Sequence, residues 1–309
     1  MRCLVTGATG HIGSHLARFL VERNANVAVL VRPKSQTRRI EDVLSRLHVI
    51  TADLSDIEQV GTAIREFKPE VLFHLAWYGV HKSLRNDANQ LNRNLFGSIE
   101  LLRLAYESGC KRWVGLGSQA EYGPQDQILT ENLPTRPVDY YGRAKLYVCL
   151  LTQKLCENWN IRFVWLRLTA SYGPWDDSNH LIPSAILSLL RRNRMPLTSG
   201  EQQWDYLYVE DVIKAIWKTA ATPDAQGIFN LGSGKAYSIR SIVELVRDMI
   251  DPRLPLVFGE VPYRADQIMH LRADTSRLRA LGWSPEVDLD QGLRRTVDWF
   301  RDNAWRYPR

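Results

Sequence analysis

Cysteine is scarce. The 309 residues hold four, Cys3, Cys110, Cys149 and Cys156, at no metal-ligand spacing. A disulfide-built domain and a zinc module are therefore excluded, and no metal is expected. Cys3 and Cys149 lie in apolar surroundings and read as buried thiols, which fits a reducing, cytoplasmic compartment. Long apolar runs are missing too, and none approaches the roughly 20 residues of a membrane span. Met1 runs almost directly into an apolar strand, so no signal peptide is expected. Charge is nearly balanced, with 40 Lys and Arg against 34 Asp and Glu for a net +6. The basic residues are dispersed, without the basic–aromatic stripe of a nucleic-acid binder. Attraction of an anionic nucleotide ligand accounts for the surplus equally well. Internal repeats and low-complexity linkers are absent. A chain with 45% hydrophobic and 24% charged residues is an ordinary globular one, long enough for a large core and two lobes.

The informative segment is Gly7-Ala8-Thr9-Gly10-His11-Ile12-Gly13. Cys3, Leu4 and Val5 before it read as a strand. Ile12, Leu16, Phe19 and Leu20 recur after it at helical spacing. The turn between must be sharp and let a phosphate come close, which glycine permits. The helix N-terminus offers N–H groups and a positive dipole end to a pyrophosphate. The spacing differs from the usual G-x-G-x-x-G and resembles that of the extended short-chain dehydrogenases/reductases. Gly7, Thr9, Gly10, His11, Ile12 and Gly13 are the expected cofactor cradle.

The second strand reads Val27 to Val31. An acid at its end would accept from the ribose hydroxyls of NAD. Here stand Val31 and Arg32, followed by Lys34, Arg38 and Arg39. A guanidinium pairs with a 2′-phosphate that an acid would repel, so the expectation is NADP(H) over NAD(H), with Arg32 as the discriminating residue.

Strand and helix patterns alternate over residues 1–170, the signature of a parallel sheet with crossover helices. Val71 to Leu75, Trp113 to Leu116 and Phe163 to Leu168 are further strands. Leu95 to Glu107 reads as a helix closed by Gly109. Beyond residue 170 the regularity fades, and helices over 182–192 and 209–220 are separated by loops. The expected fold is α/β: a Rossmann-type doubly wound parallel sheet, with residues 171–309 forming mainly a smaller substrate-binding lobe that returns segments to the first domain.

Tyr141 and Lys145 are four apart in a helical stretch, Tyr140 to Cys156, and share a face. An ammonium near a phenol stabilises phenolate, so such a tyrosine can exchange a proton with a substrate oxygen. Ser118 follows the fifth strand, where its hydroxyl can hold the same oxygen. Asn94 lies on the long helix, where it is expected to relay protons through water.

In this order the residues resemble the nucleotide-sugar epimerase/dehydratase/reductase group of the extended short-chain dehydrogenases/reductases. The resemblance covers nearly the whole chain and includes Leu75-Ala76 and Tyr172-Gly173-Pro174. It implies a catalytic Ser118, Tyr141 and Lys145, with Lys145 also on the nicotinamide ribose, Asp53 and Leu54 beside the adenine, and Leu75, Ala76 and Trp77 along the cofactor. Sugar 4,6-dehydratases of the group carry an Asp-Glu pair after the residue matching Ser118. Here Gln119 and Ala120 stand there and cannot transfer the protons. Glu121 is one place further on.

For the substrate, the resemblance puts Asn179 and His180 near a diphosphate, Arg264 on it, and Trp204 in place of a nucleotide-contacting arginine. Trp204 either stacks on a base or ribose or fills core, and His180 equally suits a plain helix start. Trp77, Tyr78, His81 and Ser83 are expected to shape the sugar pocket, with Gln119, Ala120 and Tyr141 facing it. His74 reads as a satisfied core residue. The expected function is NADPH-dependent reduction of a nucleotide-linked 4-keto-6-deoxyhexose. The alternative is a nucleotide-sugar 4-epimerase with tightly bound NAD, and a remote one is a non-catalytic NADPH sensor. The expected partners are the nucleotide sugar and a second copy of the chain.

Overall fold

Seven parallel strands form the central sheet. In the computed structural model, which describes residues 1–264 and 267–307, they are β1 (Arg2–Thr6), β2 (Asn26–Val31), β3 (Leu47–Thr51), β4 (Val71–His74), β5 (Arg112–Ser118), β6 (Arg162–Leu168) and, much later in the chain, β10 (Gly227–Leu231). Their order is β10-β6-β5-β4-β1-β2-β3. Apolar runs such as Cys3-Leu4-Val5 and Val27 to Val31 are buried throughout, as a sheet covered on both faces requires. The covering helices are α1 (His11–Glu22), α2 (Gly61–Phe67), α3 (Asn89–Glu107), α4 (Tyr140–Asn158) and, beside α1, α6 (Val209–Ala221). The sheet therefore divides its apolar side chains between two clusters, one around Val5, Leu16 and Ile216, the other around Leu4, Leu101 and Val148.

The chain passes from β1 outward to β2 and β3, then returns to build β4, β5 and β6 on the other side. The order reverses between β1 and β4, and ligands of such sheets bind in the crevice at that reversal. Neutral His74 ties the two strands together. Its Nδ1 accepts from Thr6 Oγ1 (3.0 Å) and its Nε2 donates to Ser98 Oγ (2.8 Å). This direction follows because Ser98 Oγ spends its proton on Asn94 O and Thr6 Oγ1 accepts from Ala76 N. His74 is thus the satisfied core residue expected, and burial pushes its pKa down to about 3.

The later elements are β7 (Ala170–Tyr172), α5 (Leu181–Leu190), β8 (Gln203–Trp204), β9 (Tyr206–Tyr208), α6 (Val209–Ala221), β11 (Tyr237–Ser238), α7 (Ile239–Ile250), β12 (His270–Leu271), α8 (Ser276–Ala280) and α9 (Leu289–Asn303). Of these, β7 pairs with β9, while β8 lies between β11 and β12. α5, α7 and α9 enclose a separate apolar cluster around Ile186, Val246 and Phe300. Buried Asp205 joins three loops by accepting from the backbone N–H of Ser233, Gly234 and Ala273. All four cysteines are free and buried. Among the described residues, no helix is long and apolar enough to cross a membrane.

Candidate active site

The glycine loop lies at the sheet's reversal. Gly7 has φ +73°, and a Cβ on it would sit 2.7 Å from Ala76 N. One on Gly13 would sit 2.1 Å from Gly7 O. The loop after β1 thus presses against Leu75-Ala76 after β4, with the first turn of α1 packed on it. Thr9, Gly10, His11 and Ile12 remain partly accessible. The first N–H groups of a helix have no partner within it. The loop and helix start thus form a cradle that fits a pyrophosphate. His11 Nδ1 lies 3.2 Å from the buried Asp176 Oδ1, which also bonds His180 Nδ1 at 2.7 Å. Asp176 thereby joins the glycine loop to the start of α5, where Asn179 and His180 are exposed.

Arg32 is exposed at the end of β2. Two of its basic neighbours are spent otherwise: Arg39 donates to Trp175 O and Thr9 O, and Arg38 to Arg306 O. They brace the glycine loop and the C-terminal segment. Leu54 packs on α3 at Gly97, where a Cβ would lie 2.5 Å from Leu54 O. Asp53 is half-buried beside it.

Ser118 ends β5 and caps the short helix Gln119–Glu121. Its Oγ accepts from Ala120 N (3.2 Å), and Glu121 Oε1 accepts from Ser118 N (2.9 Å). Glu121 is fully buried. It also accepts from Trp165 Nε1 (2.9 Å) and pairs with Arg167 Nε (2.7 Å). Gly117 makes room, since a Cβ there would meet Trp165 Nε1 at 2.2 Å and Glu121 Oε1 at 2.5 Å. This network holds Glu121 away from any acid–base role. Gln119 and Ala120 are buried.

α4 is brought close by small residues. A Cβ on Gly142 would lie 2.5 Å from Ala120 O, so Gly142 lets the helix start abut Ala120 and delivers Tyr141 to Ser118. Asp139 caps the helix, its Oδ1 accepting from Gly142 N (2.7 Å). Burial raises the Tyr141 pKa above its ordinary value, and Arg85 and a hydrogen bond with Ser118 oppose that rise. The expected cation does otherwise. Lys145 Nζ donates to Leu116 O (2.6 Å) and lies 3.7 Å from the Trp77 ring centroid, against 5.9 Å for Tyr141. Burial lowers its own pKa to about 7, with Glu121 opposing. The ammonium thus takes a carbonyl and an indole face as its nearest partners, and the leading charge opposing the rise at Tyr141 is Arg85.

Asn94 is buried on α3 and heavily engaged. Its Oδ1 accepts from Tyr78 N (2.7 Å) and its Nδ2 donates to Tyr78 O and Gln90 O. The amide clamps the loop after β4, a structural task beside the relay expected from the sequence. Gln90 completes the clamp, donating to Gly79 O and Leu84 O and accepting from Trp77 Nε1. His81 is exposed and shares a 2.8 Å hydrogen bond with Ser83 Oγ. Trp204 packs among Leu271, Ile239 and Tyr206. Arg264 is exposed, and the Ala265 and Asp266 that follow it in its motif lie outside the described residues. Sequence reasoning missed Arg85, Gln90, Arg167 and Asp176. Arg167 alone carried a signal, a charge inside an apolar strand.

A cradle at the sheet reversal and a serine–tyrosine–lysine cluster after β5 describe an oxidoreductive nucleotide site. The model of the NAD-dependent epimerase/dehydratase family matches residues 3–232. The chain belongs to that family. A putative UDP-glucose 4-epimerase of Methanocaldococcus jannaschii is 28% identical over 97% of this chain and 98% of its own. The UDP-glucose 4-epimerase of Thermotoga maritima, solved with UDP-glucose, superposes with a TM-score of 0.91 at 25% identity, covering 98% of this chain and 100% of that one. That of Thermus thermophilus, solved with NAD, gives 0.88 at 27% identity, covering 97% and 99%. The chain is thus an enzyme of a family that acts on nucleotide sugars with an NAD(P) dinucleotide.

Proposed function

We propose that this chain interconverts the C4 epimers of a nucleotide-linked hexose and retains NAD while doing so. Residues 1–170 hold the dinucleotide, and residues 171–309 chiefly hold the nucleotide sugar. The observation that carries the reading is Tyr141 beside Ser118, on a helix pressed against Ala120. When bound, the dinucleotide supplies a hydride acceptor and donor. Tyr141 phenolate takes the proton of the C4 hydroxyl as the C4–H bond breaks, leaving a 4-keto sugar, and returns it after the ring presents its other face. Ser118 holds the C4 oxygen. The glycine loop and the start of α1 take the pyrophosphate, and Lys145 becomes available to a ribose when it leaves Leu116 O. Dehydration, the activity of other relatives at 24–26% identity, is disfavoured by Gln119 and Ala120, which carry neither acid nor base. The NAD and UDP-glucose named for the two solved epimerases favour epimerisation.

One observation favours the second reading, NADPH-dependent reduction of a 4-keto-6-deoxyhexose: Arg32, exposed at the end of β2 where an acid would select NAD. Two assays separate them. UDP-glucose without added reduced nucleotide is followed by NMR for a C4 epimer. A nucleotide-linked 4-keto-6-deoxyglucose is followed for stoichiometric loss of NADPH. Epimer without net nucleotide consumption supports the first reading, and NADPH loss supports the second. Arg32→Asp then tests the cofactor. If Arg32 meets a 2′-phosphate, the substitution weakens NADPH relative to NADH by about tenfold to a hundredfold, the range of a charge-assisted hydrogen bond. An unchanged ratio assigns Arg32 to solvent. The assembly proposed is a homodimer through the exposed apolar faces of α3 and α4.

A further inference from the structure

A lysine four residues after a tyrosine would ordinarily supply the positive charge beside its phenol. In this chain Lys145 is engaged by Leu116 O and Trp77. The guanidinium of Arg85 comes closer to the Tyr141 ring, with its central carbon 4.5 Å from the ring centroid, against 5.9 Å for Lys145 Nζ. Arg85 lies in the loop after β4, and several contacts seat that loop on the start of α4. Its carbonyl accepts from Tyr141 N (2.9 Å), and Asn86 Oδ1 accepts from Tyr140 N (3.3 Å). Arg85 Nε is 2.8 Å from Asp139 Oδ2. That ion pair lacks hydrogen-bond alignment, and the central carbon of the guanidinium lies over the Tyr141 ring. Cations stacked over aromatic faces in this way gain from the ring quadrupole, and arginine does so with its whole plane.

We propose that Arg85 is a positioning residue of this active site, whose guanidinium stacks on Tyr141, fixes the plane of the phenol and sets positive charge against it. The proposal rests on the reading of Tyr141 given above. The charged groups around that phenol are Arg85 from the β4–α3 loop, Glu121 from the turn after β5, and Asp139 and Lys145 from α4 and its cap. Ser118 adds a hydrogen bond. Burial, Glu121 and Asp139 all disfavour phenolate, while Arg85 is the leading influence in its favour, ahead of Ser118. Without Arg85, a buried phenol faces two carboxylates with Ser118 as its main support. An acid–base tyrosine in that state would hold its proton too firmly near neutral pH.

The test reads Tyr141 directly. Protein labelled with 13C at the tyrosine Cζ is titrated by NMR, and the Tyr141 signal is assigned by its loss in Tyr141→Phe. In Arg85→Gln the titration moves up by about one pH unit, the low end for an opposite charge at this range because Arg85 is partly exposed. Arg85→Lys, which keeps charge without the planar stack, falls between. If the glutamine variant does not fold, Arg85→Met preserves the aliphatic stem and takes its place. Epimerisation of UDP-glucose is measured on the same proteins. If the Tyr141 titration stays where it is in both Arg85→Gln and Arg85→Lys, the positioning role is overturned and the reading of Tyr141 stands. If Tyr141→Phe epimerises UDP-glucose at the rate of the unaltered protein, the reading of Tyr141 fails whatever Arg85 does.

Discussion

At the scale of single residues, the site is a competition for partners. Glu121 is the clearest case. Its two oxygens take Ser118 N, Trp165 Nε1 and Arg167 Nε, and both it and Arg167 are buried. It therefore fixes the turn that holds Ser118, and its charge favours the ammonium of Lys145 while disfavouring the phenolate of Tyr141. Removing one member of a buried pair leaves the other uncompensated, at about 3–5 kcal/mol. Arg167→Met is therefore expected to destabilise the protein by that order in a urea titration, with the unfolding slope unchanged. A loss under about 1 kcal/mol would mean that the pair contributes as a surface salt bridge does. The same logic explains Lys145. In the sequence its partner is ambiguous, because spacing places it on the face of Tyr141 and says nothing of the Leu116 carbonyl or the Trp77 ring.

At the scale of elements, what could be read in the sequence is what local pattern encodes. The strand–glycine loop–helix opening and α4 are local, with an apolar run, a required turn and a helical period, so both stand within a few residues of expectation. α3 begins at Asn89 rather than Leu95 because Gln90 and Asn94 are polar yet buried. Their side chains bond the loop after β4, and polarity hid the helix start. Strands β8, β11 and β12 have two residues each, too few for any period to show. Arg85 depends on contact between two distant segments and left no trace in sequence. The exposed side of α3 and α4 carries its own prediction. Phe96 is 65% exposed and Leu150 51%, with Tyr147 and Leu151 beside the latter on α4. A two-fold interface sets the same patch of each copy against the other, and an exposed apolar patch on two packed helices offers one. The protein is expected to sediment as a dimer, and Leu150→Glu combined with Phe96→Lys is expected to give a folded monomer. An unaltered protein that sediments as a monomer at micromolar concentration removes the dimer.

At the scale of the whole molecule, the buried histidines tie the fold to pH. Burial pushes His15 and His74 down to about 3, and His11 is lowered by burial as well. The unfolded chain binds protons at these positions near pH 6.5, while the folded chain does not. Stability is therefore full above about pH 6.5 and falls with pH below it, by up to about 1.4 kcal/mol per pH unit for each such histidine. His180, raised by its bond to Asp176, works the other way, and so do the carboxyls of Asp205 and Asp211, raised by burial. Carboxylates held low by partners, such as Asp42 and Glu70, lose their contribution only at still lower pH. Across the interval from pH 6.5 to 5 unfolding takes up protons at the buried histidines His11, His15 and His74, against His180 and the raised carboxyls of Asp205 and Asp211. The thermal midpoint is expected to fall across it. His15→Gln should flatten the fall, because it removes one titrating ring while keeping a side-chain amide within reach of the Pro174 carbonyl that His15 Nε2 meets at 2.9 Å. A midpoint level from pH 7.5 to 5 would mean that these rings take up protons without unfolding, and that the crevice joining β1 to β4 opens more readily than its buried hydrogen bonds imply.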